Sequence, residues 1–464
     1  MIVYFKKWFA KPKLLRLLGT YVFTWVVALI VVLPRMLRGD FSWAKLWDRL
    51  KDLFDFSGFI IAVHVAFVVF YLVLLCIRYF IRTHKKHGHR VMLKHLGLRF
   101  LTPILVLVLI YNGITYANTS EDFDFSWDSS VENTNNRSND YYAVDQKHRG
   151  MSVFGMREGN ETAIQELLKN NIEWVAVVPF LYQKDQRTKI MNIPENTGLW
   201  SSRDSTFISN IHELHAKNIH VMLKPHLWMS DGWRSNISLD SPKEWDAWFS
   251  SYRKNMLHYA KMAEENNVEV FCLGTELKSS LKNAPKQWIA LAKELKAIYH
   301  GKLTYAANWD GEFNLVPFWD EMDYIGIQGY FPLTKNEKPE LEDIKKGWDR
   351  HIITLENLAN KYQKPILFTE VGYRSDVATT IKPWEWNDFG SVLFEKKSNR
   401  TQQLAYEALF QKLWNKPWFA GTYIWQWDTR SELDNTHESL DFTPRFKPAL
   451  NTLAKWYGEP TESK

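Results

Sequence analysis

Glu276 closes the apolar run FCLGT, and Glu370 closes ILFT. Two carboxyl groups set at the ends of two strands can split a glycosidic bond. One, kept protonated by burial or by a neighbouring charge, gives its proton to the leaving oxygen. The other, ionised, stabilises or attacks the anomeric carbon. Other apolar runs end in polar and aromatic residues of the same kind: Phe154; Tyr182 and Gln183; Lys224, His226 and Trp228; Asn308, Trp309 and Asp310; Gln328 and Tyr330; Tyr373 and Arg374; Trp425, Gln426, Trp427 and Asp428. These make a bowl of carboxylates, amides and indoles. It lacks the clustered cysteine and histidine of a transition-metal site, so neither a metal nor a cofactor is expected. The HELH at 212–215 has a metal-like look, but on a helix after the second strand it faces away from the bowl. One glutamate after one strand is readily a structural ion pair; two, with Trp and Tyr around both, favour the paired chemistry. The chain also carries 22 Trp, 20 Tyr and 28 Phe, 15% aromatic in all. The flat C–H faces of sugars stack on such rings, although core packing and membrane belts account for part of them.

Short apolar runs rich in β-branched and aromatic residues supply the strands: 150–155, 173–180, 220–226, 268–274, 303–309, 323–330, 364–372 and 420–427. Amphipathic segments such as TAIQELLKNN and WIALAKELKAIYH lie between them. Strands alternating with helices argue for a parallel sheet, and eight such units fit a closed (β/α)8 barrel, a TIM barrel of the α/β class. The alternative, an open doubly wound sheet, usually carries a glycine-rich phosphate turn after its first strand, and GMSVFGMREGNET is a poor one. In a barrel the bowl falls at the C-terminal ends of the strands, where such folds keep their active sites.

The segments GTEL (274–277), MDYIGIQGYFPLT (322–334), KPILFTEVGYRS (364–375) and YIWQWD (423–428) carry a resemblance. Residues 145–460 resemble a clan A glycoside hydrolase, most closely glycoside hydrolase family 113, whose known members act on β-1,4-mannans. The resemblance implies a retaining hydrolase with Glu276 as acid/base and Glu370 as nucleophile. It also implies that Tyr330 hydrogen-bonds the nucleophile and that Trp425 floors the subsite where the sugar is cleaved. The clan usually has Asn just before the acid/base, in contact with the sugar 2-hydroxyl; here that residue is Thr275, which puts that recognition in doubt. His226 and Trp228 either line the glycone side or pack the rim. Asn308 either donates to a sugar hydroxyl or shapes a turn. Asp231 and Arg234, in SDGWRS, read as a loop salt bridge.

The first 118 residues hold 17 Lys and Arg against 4 acids, a net of +13, and the rest hold 41 against 48, a net of −7. The basic balance is therefore local and gives no reason to expect a nucleic-acid partner. Three stretches there, 17–33, 58–77 and 100–117, are apolar and free of acid and base inside, which predicts three transmembrane helices and a lipid bilayer as partner. A cleaved signal peptide fits the first less well, since no small-residue cleavage site follows it. Lys and Arg flank the N-terminus and the 78–99 loop, placing both in the cytoplasm and everything after 118 outside, on the outer or periplasmic face of a cytoplasmic (inner) membrane. Residues 41–56 read as an amphipathic surface helix. The histidines at 84, 87 and 89 read as a solvated basic loop, and His64 as a packed or hydrogen-bonded helix residue. Cys76 and Cys272 are expected to stay apart. The expected domains are an anchor (1–117), a flexible linker rich in Asn, Ser and Asp (118–148) and the barrel (149–464). The leading function is an endo- or exo-acting β-mannanase-like hydrolase with a carbohydrate substrate. The alternatives are a transglycosylase or hydrolase of another envelope β-glycan, and a non-catalytic carbohydrate-binding barrel, which loss of either glutamate would have marked.

Overall fold

The computed structural model describes residues 12–36, 53, 57–119, 125–154, 156, 159–191, 204–386, 395–429 and 440–461. Eight parallel strands close a barrel in the order β1-β10-β9-β8-β7-β6-β4-β2. They are β1 (His148–Phe154), β2 (Trp174–Val177), β4 (His220–Leu223), β6 (Val270–Thr275), β7 (Lys302–Asn308), β8 (Ile325–Gln328), β9 (Ile366–Val371) and β10 (Phe419–Asp428). Each falls on one of the eight apolar runs read from the sequence. Two further short strands, β3 (Phe180–Gln183) and β5 (His226–Met229), pair with each other beyond the ends of β2 and β4. Pro179 and Pro225 separate the two pairs, because proline has no N–H for the ladder.

Side chains alternate as a pleated strand requires. Val270 and Cys272, Ala306, Leu367 and Tyr423 fill the barrel interior, while Phe271 and Leu273, Tyr305 and Ala307, and Ile366 and Phe368 pack outward into the layer shared with the helices. Helices such as Pro242–Glu265, Pro285–Ile298 and Leu341–Tyr362 bury one face each in that layer. Carried two residues further, the inward register brings Lys224 (after Met222), Asn308 (after Ala306) and Trp425 (after Tyr423) to the C-terminal mouth.

Residues 125–148 were read as a flexible linker; from 125 on they are a structured part of the barrel. Asn133 N–H donates to Lys169 O at 3.1 Å. The N–H groups of Tyr141 and Tyr142 donate to the Glu173 carboxylate at 2.6 and 3.1 Å. The Tyr142 ring meets Trp174 edge-on at 4.8 Å, closing the N-terminal mouth. Polar composition misled because this segment is held by hydrogen bonds, not by an apolar period.

The first 112 residues form a separate unit. Two helices are long and apolar enough to cross a membrane, Lys13–Val32 and the run Phe59–Asn118. This differs from three separate spans. The second and third stretches belong to one succession of helical segments, Ser57–Leu96 with a kink at Gly88, a π-helical turn Gly97–Leu101, and Thr102–Thr119. The basic stretch between them contains no proline to end it, and only Gly88 leaves helical geometry, at φ 78° and ψ 175°. His64 is hydrogen-bonded, to Tyr21 Oη at 3.1 Å and Ile60 O at 2.7 Å. The amphipathic helix expected over 41–56 lies almost wholly outside the described residues. Cys76 and Cys272 are free thiols.

Candidate active site

Glu276 follows β6 directly and has φ 54°, a left-handed backbone that a non-glycine residue adopts only when its surroundings hold it there. Ser235 Oγ donates to its carbonyl at 2.7 Å, and its own N–H donates to Ala306 O at 3.0 Å. An extra residue enters β6 between Cys272 and Thr275, opposite Thr304 and Ala306 of β7. A second irregularity lies at β9, where Ile327 faces Phe368 but Gln328 faces Glu370. Counting by twos from the inward Leu367 would send Glu370 to the helix side; the extra residue turns it into the mouth. Glycines flank both carboxylates. A Cβ on Gly274 would lie 2.8 Å from the Tyr305 ring, and one on Gly372 would lie 2.5 Å from Trp425 O.

Both carboxylates line one cavity of about 790 Å3, walled also by Phe154, Phe180, His226, Trp228, Trp233, Arg234, Asn308, Trp309, Asp310, Tyr330, Trp384, Trp386, Trp425, Gln426 and Phe442. All seven residues singled out for this site in the sequence, Glu276, Glu370, Tyr330, Trp425, Asn308, Trp228 and His226, border it. Trp425 is almost buried, whereas Trp228 is 53% exposed. His226 stacks parallel to Trp425 at 6.2 Å. His226 Nε2 and Trp425 Nε1 are buried and find no hydrogen-bond partner among the described residues.

The two carboxylates differ in their surroundings. Tyr330 Oη donates to Glu370 Oε1 at 2.5 Å, as the resemblance implied. Lys224 Nζ, fully buried, donates to Glu370 Oε2 at 2.9 Å, and also to Gln328 Oε1 and Thr369 O at 3.0 Å each. Both Glu370 oxygens therefore meet donors, one of them a cation. Burial pushes the Glu276 carboxyl up, its neighbour Arg234 opposes this, and the charge of Glu370 adds to the rise. That is the asymmetry a paired acid and carboxylate need.

Three readings change here. Asn308 Nδ2 donates to Glu276 Oε1 at 2.8 Å, so it holds that carboxyl. Its backbone is fixed in turn by Glu312, whose Oε2 accepts from Asn308 N–H at 3.0 Å and whose Oε1 accepts from Tyr305 at 2.6 Å. Arg234 pairs not with Asp231 but with Glu276 Oε2, at 2.5 Å. Lys224 stood in the bowl with no role. Trp233, Trp384 and Trp386 were not noticed at all, although PWEW (383–386) is dense in aromatics; the two tryptophans after β9 reach Trp309 and Trp425 at 4.7 and 6.1 Å. Thr275 is buried and does not border the cavity. The HELH histidines serve structural contacts, His212 with Asn266 and His215 with Glu269.

The family model of Glycoside Hydrolase Family 113 matches residues 152–445. A solved complex of a β-1,4-mannanase of that family shares 26% identity over 67% of this chain and 98% of its own, with a TM-score of 0.58. A β-mannanase of the family from Alicyclobacillus acidocaldarius, in complex with ManMIm, shares 25% over 67% and 97%, also at 0.58. Among curated proteins none matches.

Proposed function

The chain belongs to glycoside hydrolase family 113, and from that premise we propose a retaining β-1,4-mannan hydrolase in which Glu276 is the acid/base and Glu370 the nucleophile. The observation that carries it is the unlike dressing of two carboxylates in one cavity. Glu276 is the acid because burial favours its protonated form. Glu370 is the nucleophile because Lys224 and Tyr330 orient it and balance its charge. In the first step Glu276 protonates the glycosidic oxygen while Glu370 Oε attacks the anomeric carbon, and the leaving sugar departs with the proton. In the second, Glu276 takes a proton from water, which displaces Glu370 and restores the anomeric configuration. Trp425, on the wall of the same cavity, offers a ring face for the sugar, and His226 stacks beside it.

The N-terminal helices support a membrane-held enzyme. Their leucines and valines stand outward, Val31 at 68% and Leu107 at 65% exposure, and the flanking charge is basic. In this reading the anchor spans a bilayer and the barrel lies on its outer side.

The test is hydrolysis of a panel of β-linked oligosaccharides by the full chain in detergent or lipid. Cleavage of β-1,4-mannooligosaccharides in preference to gluco-, galacto- and xylo-oligomers is expected. Preference for another β-glycan would move the substrate while keeping the chemistry, and no cleavage of any would overturn the reading.

A further inference from the structure

Glu276 accepts on both oxygens, from Asn308 Nδ2 on Oε1 and from Arg234 Nη2 on Oε2. A general acid must bring a proton-bearing oxygen within about 2.6–3.2 Å of the atom it protonates. With both oxygens taken, one partner has to yield when substrate arrives. Asn308 is fixed: it ends β7, its N–H is bound by buried Glu312, and its Oδ1 accepts from Asp310 N–H at 3.3 Å. Arg234 is not so held. It starts a short 3-10 turn, Arg234–Asn236, between β5 and the helix Pro242–Glu265. Its guanidinium lies 4.3 Å over the ring of Trp233, itself 44% exposed. Its Nε is buried and finds no acceptor among the described residues, so the observed seat is an incomplete one.

A second cavity of about 550 Å3 shares Trp233, Asn308 and Asp310 with the first and is walled by the same turn through Ser238. It begins one side chain beyond the acid. A sugar chain on the leaving-group side would run along this turn and meet Trp233 and Ser235, the residues on either side of Arg234.

We propose that Arg234 is a displaceable latch on the acid: it occupies Oε2 of Glu276 in the free enzyme and withdraws when a sugar chain fills the leaving-group side. The proposal rests on the glycosidase reading and makes Arg234 a positioning residue. Its consequence is protonic. The groups facing Glu276 are Arg234 from the turn after β5, Lys224 after β4, Glu312 after β7, Tyr330 after β8 and Glu370 from β9, with His226 and the Lys278–Asp310 pair at the rim. Arg234 is the cation in hydrogen-bond contact. When it leaves, burial and Glu370 dominate, and Glu276 takes up a proton from water in time to give it to the glycosidic oxygen.

The pH dependence of kcat/KM reports the free enzyme and that of kcat the complex. On a β-1,4-mannooligosaccharide long enough to fill both cavities, the alkaline limb of kcat for the wild-type chain should lie above that of kcat/KM, by about one pH unit or more. Arg234→Ala should raise the kcat/KM limb to meet the kcat limb and leave the latter unmoved, whereas Arg234→Lys should keep the gap. A residue that merely shaped the loop would lower rates without separating or merging the limbs. Coincident limbs in the wild type, or equal movement of both in Arg234→Ala, would overturn the latch while leaving the glycosidase reading intact. Absence of wild-type turnover on every β-glycan would overturn both.

Discussion

Glu370 meets Tyr330 and Lys224, and Glu276 meets Asn308 and Arg234, so four side chains from four places in the sequence divide the labour of one cavity. Removing either carboxylate should then fail differently. Glu370→Ala should lose the first step for every substrate, with slow turnover and inverted product restored by azide. Glu276→Ala should fail mainly on sugars with poor leaving groups and retain activity on an activated aryl glycoside, which departs without a proton; steady-state rates on the two substrate types separate the cases. Lys224→Met leaves Glu370 buried without its cation, and breaking such a pair costs about 3–5 kcal/mol. A lower Tm and a loss of kcat are expected together. Burial, chiefly, raises Glu312 to about 7. Between its unfolded value near 4.5 and about 7 the folded state holds the extra proton, so its contribution to stability is full below 4.5 and falls as pH rises through 7. Glu312→Gln should flatten that stretch of the stability curve in chemical denaturation. That both glutamates, Tyr330 and Trp425 meet in one cavity was legible from motif and position. Partnership was not. Lys224 and Glu370 lie 146 residues apart, and nothing local to either names the other; Arg234 was matched to the nearest acid, Asp231, when the fold supplied a farther one.

The eight strands and their order could be read because a parallel barrel strand is buried on both faces and shows as an unbroken apolar run. The irregularities that aim the carboxylates could not. An extra residue in β6 or β9 changes no composition, yet it decides whether Glu370 faces sugar or helix. The β3–β5 pair was merged with β2 and β4, since Pro179 and Pro225 interrupt hydrogen bonding without interrupting hydrophobicity. Glycine marks where these elements touch, and the two glycines beside the catalytic pair should differ in tolerance. Gly274→Ala presses on three buried side chains, Tyr305, Trp288 and Tyr252, and should cost about 1–3 kcal/mol. Gly372→Ala presses on the backbone carbonyl of Trp425, so it should cost more stability and also disturb the sugar-facing tryptophan. Urea midpoints and kcat for the two variants check the order.

The whole chain is electrically divided, net +13 before residue 118 and −7 after it. The helical run Phe59–Asn118 covers 60 residues. Its two apolar stretches, 58–77 and 100–117, are each long enough to span a bilayer, and the basic stretch with its kink at Gly88 lies between them. That argues for the polar stretch around Gly88 standing outside the lipid. A reporter fused after residue 118 should behave as exported and one fused near residue 88 as cytoplasmic; the reverse would invert the topology. The charge partition was visible in the sequence, whereas helix on both sides of the basic stretch was not, because Gly88 alone leaves helical geometry there and a lone glycine does not show whether helix resumes after it.

The most direct test of the paired-carboxylate account is to trap its covalent intermediate. The full chain, treated with an activated 2-deoxy-2-fluoro β-mannoside, should gain the mass of one fluorosugar, and peptide mapping should place it on Glu370 within KPILFTEVGYR. A label on any other residue, or unchanged protein mass while turnover proceeds, would contradict the assignment of Glu370 as nucleophile.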